Sequence, residues 1–310
     1  MIIEYPSYYE KFRCIGGRCP DTCCAGWEVD VDEASSAYYR SVEGSFGDTL
    51  RAHIREEDGD CFFPLTKEGR CPFLRKDLLC EMYIQLGEES LCQTCTEYPR
   101  YFMDVGNYEQ IDMSLSCMEL GRIFFTECAR IEYIRSENEI PGEEISEEEQ
   151  ETLIEVLALR NRCIALLQDH DGAFLDAWQA VRALVAEAQG LDPNEADAER
   201  SYLKEDFPAL VECMKHLDSL RPEWDALVED YEQKIADPHF LDALPLFMQA
   251  EAGQLDRWFT KLAVYFAYRY FIDTCIDGDI EIELCLVHRS LMMILFMLYS
   301  RWTGQQQLDV

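Results

Sequence analysis

The sequence predicts a mainly α protein in two parts. A cysteine-rich N-terminal module of short helices and loops, stapled by metal, precedes an all-α helical bundle. Three observations predict this. Eleven of the fifteen cysteines fall in the first 130 of the 310 residues. Apolar residues recur at helical spacing from about residue 150 onward. Nowhere in that second part do apolar and polar residues alternate as a half-buried strand requires. The expected division is 1–130 for the module, 131–150 for an acidic linker and 151–310 for the helical domain.

The module opens on Cys14, Cys19, Cys23 and Cys24, four thiols within eleven residues. Cys71, Cys80, Cys92, Cys95 and Cys117 follow. A free cysteine packs well as a small buried hydrophobe, but such cysteines are scattered. Thiols closely spaced on turns suit a soft metal, because two on one turn can face one site and a second turn completes the shell. Gly16-Gly17 and Pro20 mark non-helical turns here. The nine cysteines are therefore candidate metal ligands, for zinc or for an iron–sulfur cluster. Spacing does not say which of them share a metal. Cys61, Cys128, Cys163, Cys213, Cys275 and Cys285 have no such grouping and read as structural.

Within the module a helix is expected over Asp30–Arg40 and a small hairpin near Asp60–Arg70. Asp112–Arg130 closes it, helical after Ser116 with Cys117 at the helix start. Residues 131–152 hold nine glutamates and one arginine. Ser146-x-x-Glu149 is a capping box, and the helix behind it carries Leu153, Ile154, Val156, Leu157, Ile164 and Leu167 on one broad face. Phe174, Leu175, Trp178, Val181, Leu184 and Val185 define the next helix, stopped by Gly190. Pro208 and Pro222 each suit a first helical position, after Asp206 and Arg221. Leu255 through Tyr270 form a long helix, Asp277-Gly278-Asp279 breaks the chain, and a last helix runs from about Ile280 to Trp302.

Charge and hydropathy limit the partners. The net charge is −34, from 27 basic and 61 acidic residues. Such a chain repels polyphosphate, so nucleic acid is not expected as a partner. A lysine-bearing protein would be attracted. Met1–Phe12 has no apolar leader, and the longest apolar run, Leu291–Tyr299, is nine residues. A bilayer span needs about 20. The expectation is a cytoplasmic protein without membrane insertion, whose many cysteines are reduced.

Phe12-Arg-Cys14-Ile-Gly-x-x-Cys19-x-Asp21-Thr22-Cys23-Cys24-x-Gly26-Trp27 resembles the opening motif of the flagellin lysine-N-methylases. The resemblance continues through Gly69-Arg70-Cys71-Pro72-Phe73-Leu74, Leu79-Cys80-x-x-Tyr83, Leu91-Cys92-x-Thr94-Cys95-x-x-Tyr98-Pro99-Arg100 and Leu115-Ser116-Cys117-x-Glu119. The cysteine-rich part also resembles small zinc- or iron-chelating proteins. The first resemblance implies methylation of lysine ε-amines on flagellin, with S-adenosylmethionine as donor and an associated iron–sulfur cluster.

The residues themselves show no donor site. The chain lacks a glycine-rich strand–turn–helix fingerprint and the Cys-x(3)-Cys-x(2)-Cys spacing of radical S-adenosylmethionine enzymes. Trp27 and Arg100 are the candidate cofactor-side residues, Trp27 as a shield beside the cysteines and Arg100 as a carboxylate ligand. Each has a plain structural alternative, local core for Trp27 and a loop anchor for Arg100. Tyr265, Tyr268 and Tyr270 read as core and rim at helical spacing. The alternative function is a non-catalytic zinc- or iron-binding interaction module.

Overall fold

A computed structural model describes residues 1–191, 203–217, 222–305 and 308. It divides into two units. One is Met1–Asp104 with Tyr108–Glu139, the other Val105–Asn107 with Ile140–Val310.

The first unit is mixed α/β, and this corrects the expectation of short helices and loops. Strands β1 (Ile2–Pro6), β5 (Arg100–Val105), β6 (Tyr108–Met113) and β7 (Tyr133–Glu137) form one sheet in the order β5-β6-β1-β7. β1 runs parallel to β6 and antiparallel to β7, with Glu4 in register with Gln110 on one side and Arg135 on the other. Strands β2 (Val29–Val31), β3 (Arg55–Glu57) and β4 (Asp60–Phe63) form a second sheet in the order β2-β4-β3.

A core of Val29, Val31, Tyr39, Leu50, Ile54, Phe63, Phe73 and Met82 lies on the second sheet. Helices α2 (Glu33–Ser41) and α3 (Gly44–His53) contribute to it. α2 begins where Asp32 accepts a hydrogen bond from the Ser35 amide at 2.9 Å, a side-chain N-cap. The hairpin lies earlier in the chain than expected, over Arg55–Phe63. Asp58 and Gly59, at φ 52 and 99, turn it. Thr66–Arg70 is a separate turn. Helix α6 (Met118–Glu127) starts directly after Cys117, as expected.

The metal staple is also corrected. Among the described residues, no three cysteine, histidine, aspartate or glutamate side chains converge to hold one ion. Two sheets and an apolar core organise the unit instead.

The described elements from Glu147 onward are helical. Helix α7 (Glu147–Asp169) opens with the expected capping box. Ser146 Oγ accepts from the Glu149 amide at 3.2 Å, and Glu149 accepts from the Ser146 amide at 2.7 Å. Ser146→Ala should cost about 1 kcal/mol, read as a lower urea midpoint at unchanged slope. An unchanged midpoint would show that the box contributes nothing.

Helix α8 (Phe174–Ala188) ends before Gly190, at φ 70. Pro222 begins a helix that runs to Ala236. Arg221 lies outside the described residues. Pro208 does not begin a helix but sits inside Leu203–Lys215, where it gives up one bond to the preceding turn. The long helix is Ala252–Tyr270, and the last is Ile280–Gln305 after Gly278 at φ 78.

Tyr265 and Tyr268 are buried, and the buried Arg160 guanidinium lies 4.7 Å from the Tyr268 ring centre. By length and composition alone, Ile280–Gln305 could cross a membrane, which the nine-residue run did not suggest. Val287, Leu291, Leu295, Phe296 and Tyr299 of this helix are buried in the bundle.

Candidate thiol site

The nine cysteines singled out by spacing fall into two groups in the first unit. Cys24, Cys71, Cys80 and Cys92 all belong to or pack against the core of the second sheet. Backbone pairing sets them side by side. The Cys71 amide donates to the Cys24 carbonyl at 2.8 Å, and a bridge joins Leu74 to Cys80. Cys92 precedes the short helix α5 (Gln93–Glu97), which carries Cys95 one turn in. The Cys92 thiol is 0% exposed and donates to the Asp30 carbonyl at 3.6 Å. Cys95 lies within electrostatic reach of Cys92, Cys24 and Cys71. Burial pushes the Cys71 thiol up to about 12 and raises that of Cys80 as well. These groups resist ionisation because a charge there would be poorly solvated.

The other four are Cys14, Cys19, Cys23 and Cys117. Cys14 and Cys23 are exposed, and Cys19 and Cys117 half-buried. Cys14 and Cys19 flank a tight turn at Gly16–Arg18. A side chain at Gly17 would meet the Asp77 carbonyl at 2.8 Å, so only glycine lets the turn approach that strand of chain. Cys117 is placed by the Ser114–Ser116 loop, where its amide donates to the Ser114 carbonyl at 3.1 Å.

Cys23 lies within electrostatic reach of Cys14 and Cys117, and Cys117 of Cys19 and Cys14. Cys23 and Cys24, adjacent in sequence, join the two groups. A hydrogen bond from Cys23 pushes the Cys24 thiol down to about 7 and holds Cys23 itself protonated.

Aromatic rings border the open group. Trp27 donates its indole N–H to the Cys23 carbonyl at 2.9 Å. Its ring centre lies 6.2 Å from that of Tyr98. Tyr98 is held by Ser116 at 3.1 Å, and burial, with the nearby Cys117, Cys23 and Cys19 thiols, raises its pKa. Sequence reasoning did not count Tyr98 as a site residue, although it lies between Cys95 and Arg100 in the same motif. Arg100 is turned to other rings, 5.4 Å from the centre of Tyr9 and 5.8 Å from that of Phe12. This is a cation–π arrangement.

In the second unit a cavity of about 280 Å3 is lined by Phe174, Leu255, Asp256, Phe259 and Leu295 among others. It is small for a nucleoside-sized ligand, and Asp256 is engaged in capping the Phe174 amide at 2.9 Å. His288 is a structural histidine that accepts from the Trp178 indole at 3.1 Å, and burial pushes its pKa down to about 4.

The donor set of the open group is all sulfur, which suits zinc or iron. A single zinc ion in tetrahedral thiolate coordination, with Zn–S of about 2.3 Å, needs sulfurs about 3.8 Å apart. No such convergence of three ligands occurs among the described residues.

Comparison with known proteins finds relatives over part of the chain. A lysine-N-methylase of Salmonella typhimurium is 30% identical over 127 residues, which is 39% of this chain and 31% of that protein. The lysine-N-methylase of Salmonella choleraesuis aligns with the same identity and coverage. A flagellar biosynthetic protein FliU of Salmonella muenchen is 29% identical over 127 residues, covering 75% of its length. The alignment thus spans about a third of the two methylases. No family model matches the chain, and no solved structure matches it.

Proposed function

We propose that this protein methylates lysine ε-amines of flagellin, with S-adenosylmethionine as donor and an iron–sulfur cluster on its N-terminal thiols. The observation that carries the reading is the similarity to lysine-N-methylases and to a flagellar biosynthetic protein over 39% of the chain. The all-sulfur donor set of the grouped cysteines supports the cluster.

In the reaction the lysine nitrogen attacks the methyl carbon of the sulfonium. A C–N bond forms as the C–S bond breaks, and the electron pair stays on sulfur. The amine must first lose its proton, from an ordinary pKa of about 10.4. Nearby carboxylates oppose that loss because they favour the ammonium. Desolvation of the lysine then has to lower its pKa, and positioning does most of the rest. When bound, the cluster would supply a compact charge. Its ligands would come from Cys14, Cys19, Cys23, Cys24, Cys71, Cys80, Cys92, Cys95 and Cys117.

The net charge of −34 supports a lysine-bearing partner. It raises the local concentration of basic segments, and salt weakens the effect over a Debye length of about 8 Å at physiological ionic strength. The test is mass spectrometry of flagellin after incubation with the protein and S-adenosylmethionine, anaerobically and at several salt concentrations. Methyl-mass increments on lysine that decline with salt are expected. Unmodified flagellin, with iron loaded and donor binding measured, would sink the assignment and leave a non-catalytic metal-binding interaction protein.

A further inference from the structure

We infer that the β5 edge of the four-stranded sheet pairs with itself: two copies of this chain join antiparallel through β5, with Phe102 against Phe102 and Arg100 of each copy facing Asp104 of the other. Association through this edge is independent of methylation and adds an interface between copies to it.

The edge is open. β5 is the last strand in the order β5-β6-β1-β7, so only one of its sides is paired. Such a side offers a row of amides and carbonyls to a further strand. The ladder to β6 decides which groups these are. β5 and β6 are joined by Gly106 and Asn107 alone, and so run antiparallel. The Ser114 amide donates to the Pro99 carbonyl at 2.7 Å, which places Pro99 and Ser114 opposite each other in a hydrogen-bonded pair. Inward and outward residues alternate along such a ladder. Tyr101 and Met103 therefore bond toward β6, and Arg100, Phe102 and Asp104 turn their backbone groups outward. Phe102 is 38% exposed. β5 contains no proline or lysine to blunt the edge.

Charge selects the occupant. Arg100, Phe102 and Asp104 share one face of the strand, two residues apart. The Arg100 guanidinium leans on the rings of Tyr9 and Phe12 and pairs with no carboxylate among the described residues. The Pro99–Ser114 register, continued along the hairpin, sets Asp104 opposite Glu109 of β6. Like charges directly opposite destabilise a sheet. Burial, and after it the Asp104 charge, raise the pKa of Glu109. Neither carboxylate has a cation partner among the described residues.

A two-fold axis at Phe102 meets all of these needs together. It brings each Arg100 opposite Asp104 of the other copy and beside Glu109, in hydrogen-bonded pairs with Cα atoms about 5.5 Å apart. The two four-stranded sheets become one continuous sheet. A peptide of unrelated sequence would need a cation at one set position, whereas a second copy carries it in register. The net charge of −34 opposes association. Screening beyond about 8 Å at physiological ionic strength leaves the shorter contacts across the axis.

Sedimentation velocity of the full chain at physiological ionic strength, over a wide concentration range, tests this. The parent should pass from monomer to dimer as concentration rises. The outward amides of Phe102 and Asp104 should gain protection from hydrogen exchange over the same range. Phe102→Pro removes an outward donor and no bond to β6, and an edge strand tolerates it. It should weaken the dimer at least about tenfold. Asp104→Arg and Arg100→Glu should each do the same, because like charges then face each other across the axis. An equimolar mixture of these two variants should form a heterodimer, because opposite charges face again. If Phe102→Pro fails to fold, the charge variants decide.

A parent that stays monomeric throughout would overturn the inference. So would a dimer as tight in Asp104→Arg and Arg100→Glu as in the parent, or a mixture of the two that stays monomeric while the parent dimerises. A monomeric parent whose outward amides are protected by an extended lysine-bearing peptide would overturn it in favour of that partner.

Discussion

Glu4→Ala should destabilise the N-terminal unit by about 3 kcal/mol, at the lower end of what removing one partner of a buried ion pair costs. Glu4 is 2% exposed in β1, an interior strand of the four-stranded sheet. Its carboxylate accepts from the Tyr108 hydroxyl at 2.8 Å and pairs with the Arg135 guanidinium. Alanine would remove this acceptor from the buried Tyr108 hydroxyl and the anion from the Arg135 cation, on both neighbouring strands at once. Arg135 is 53% exposed, so water recovers part of its loss and the upper end of the range is not reached. Tyr108→Phe removes only the hydroxyl and should cost about 1 kcal/mol. Calorimetric melting of both variants and the double variant measures the coupling. A loss below about 0.5 kcal/mol for Glu4→Ala would show that the sheet does not depend on this pair.

That same carboxylate explains why the sheets were not legible in the sequence. A strand is read from alternation, and the buried faces here carry polar groups. Glu4, Gln110 and Asp112 are all at most 3% exposed, and the Tyr8 hydroxyl donates to Asp112 at 3.0 Å. β3 is Arg55-Glu56-Glu57, exposed throughout, and β2 has three residues. Their pairing comes from partners far along the chain, which local pattern does not encode. The helices after residue 146 were legible for the opposite reason. Leu153, Val156, Ile164 and Leu167 keep helical spacing and are all buried, and Ser146 supplies its cap within the same stretch.

At the thiol site the members were legible and their division was not. Spacing marks Cys14, Cys19, Cys23 and Cys24 as a set, yet Cys23 and Cys24 join different groups. Adjacent side chains leave the backbone in different directions, so closeness in sequence misleads at that point. Cys117 joins the open group only because the loop before α6 returns beside Tyr98. The motif suggests a carboxylate ligand or a loop anchor at Arg100, and its neighbours are the rings of Tyr9 and Phe12.

Glu283→Gln should stabilise the helical unit by about 2 kcal/mol at pH 8 and leave it nearly unchanged at about pH 4. Glu283 lies in the first turns of Ile280–Gln305, is 5% exposed, and has no hydrogen-bond partner for Oε2. Burial pushes its pKa up to about 7, helped by a hydrogen bond with Asp277 and the charges of Asp273 and Asp277. An unfolded glutamate titrates near 4.3. The folded state therefore holds the proton more tightly than the unfolded one. The stability this gives is fully present below about 4.3 and is lost as pH rises through about 7.

The full shift would correspond to about 3.5 kcal/mol, but the exposed Asp277 beside it admits water and reduces this. Burial also raises the pKa of Asp273, against the opposing charge of Arg269. Asp273→Asn should thus act in the same direction and less strongly. Glutamine keeps the shape of protonated glutamate and cannot ionise, so the two proteins should match below about pH 4.3, where both states of Glu283 are neutral, diverge as pH rises to about 7, and differ by a constant amount above it. Urea unfolding at pH 4, 5, 6, 7 and 8 gives the difference directly. A stability difference that stays constant across that range would show that Glu283 ionises alike in the folded and unfolded chain.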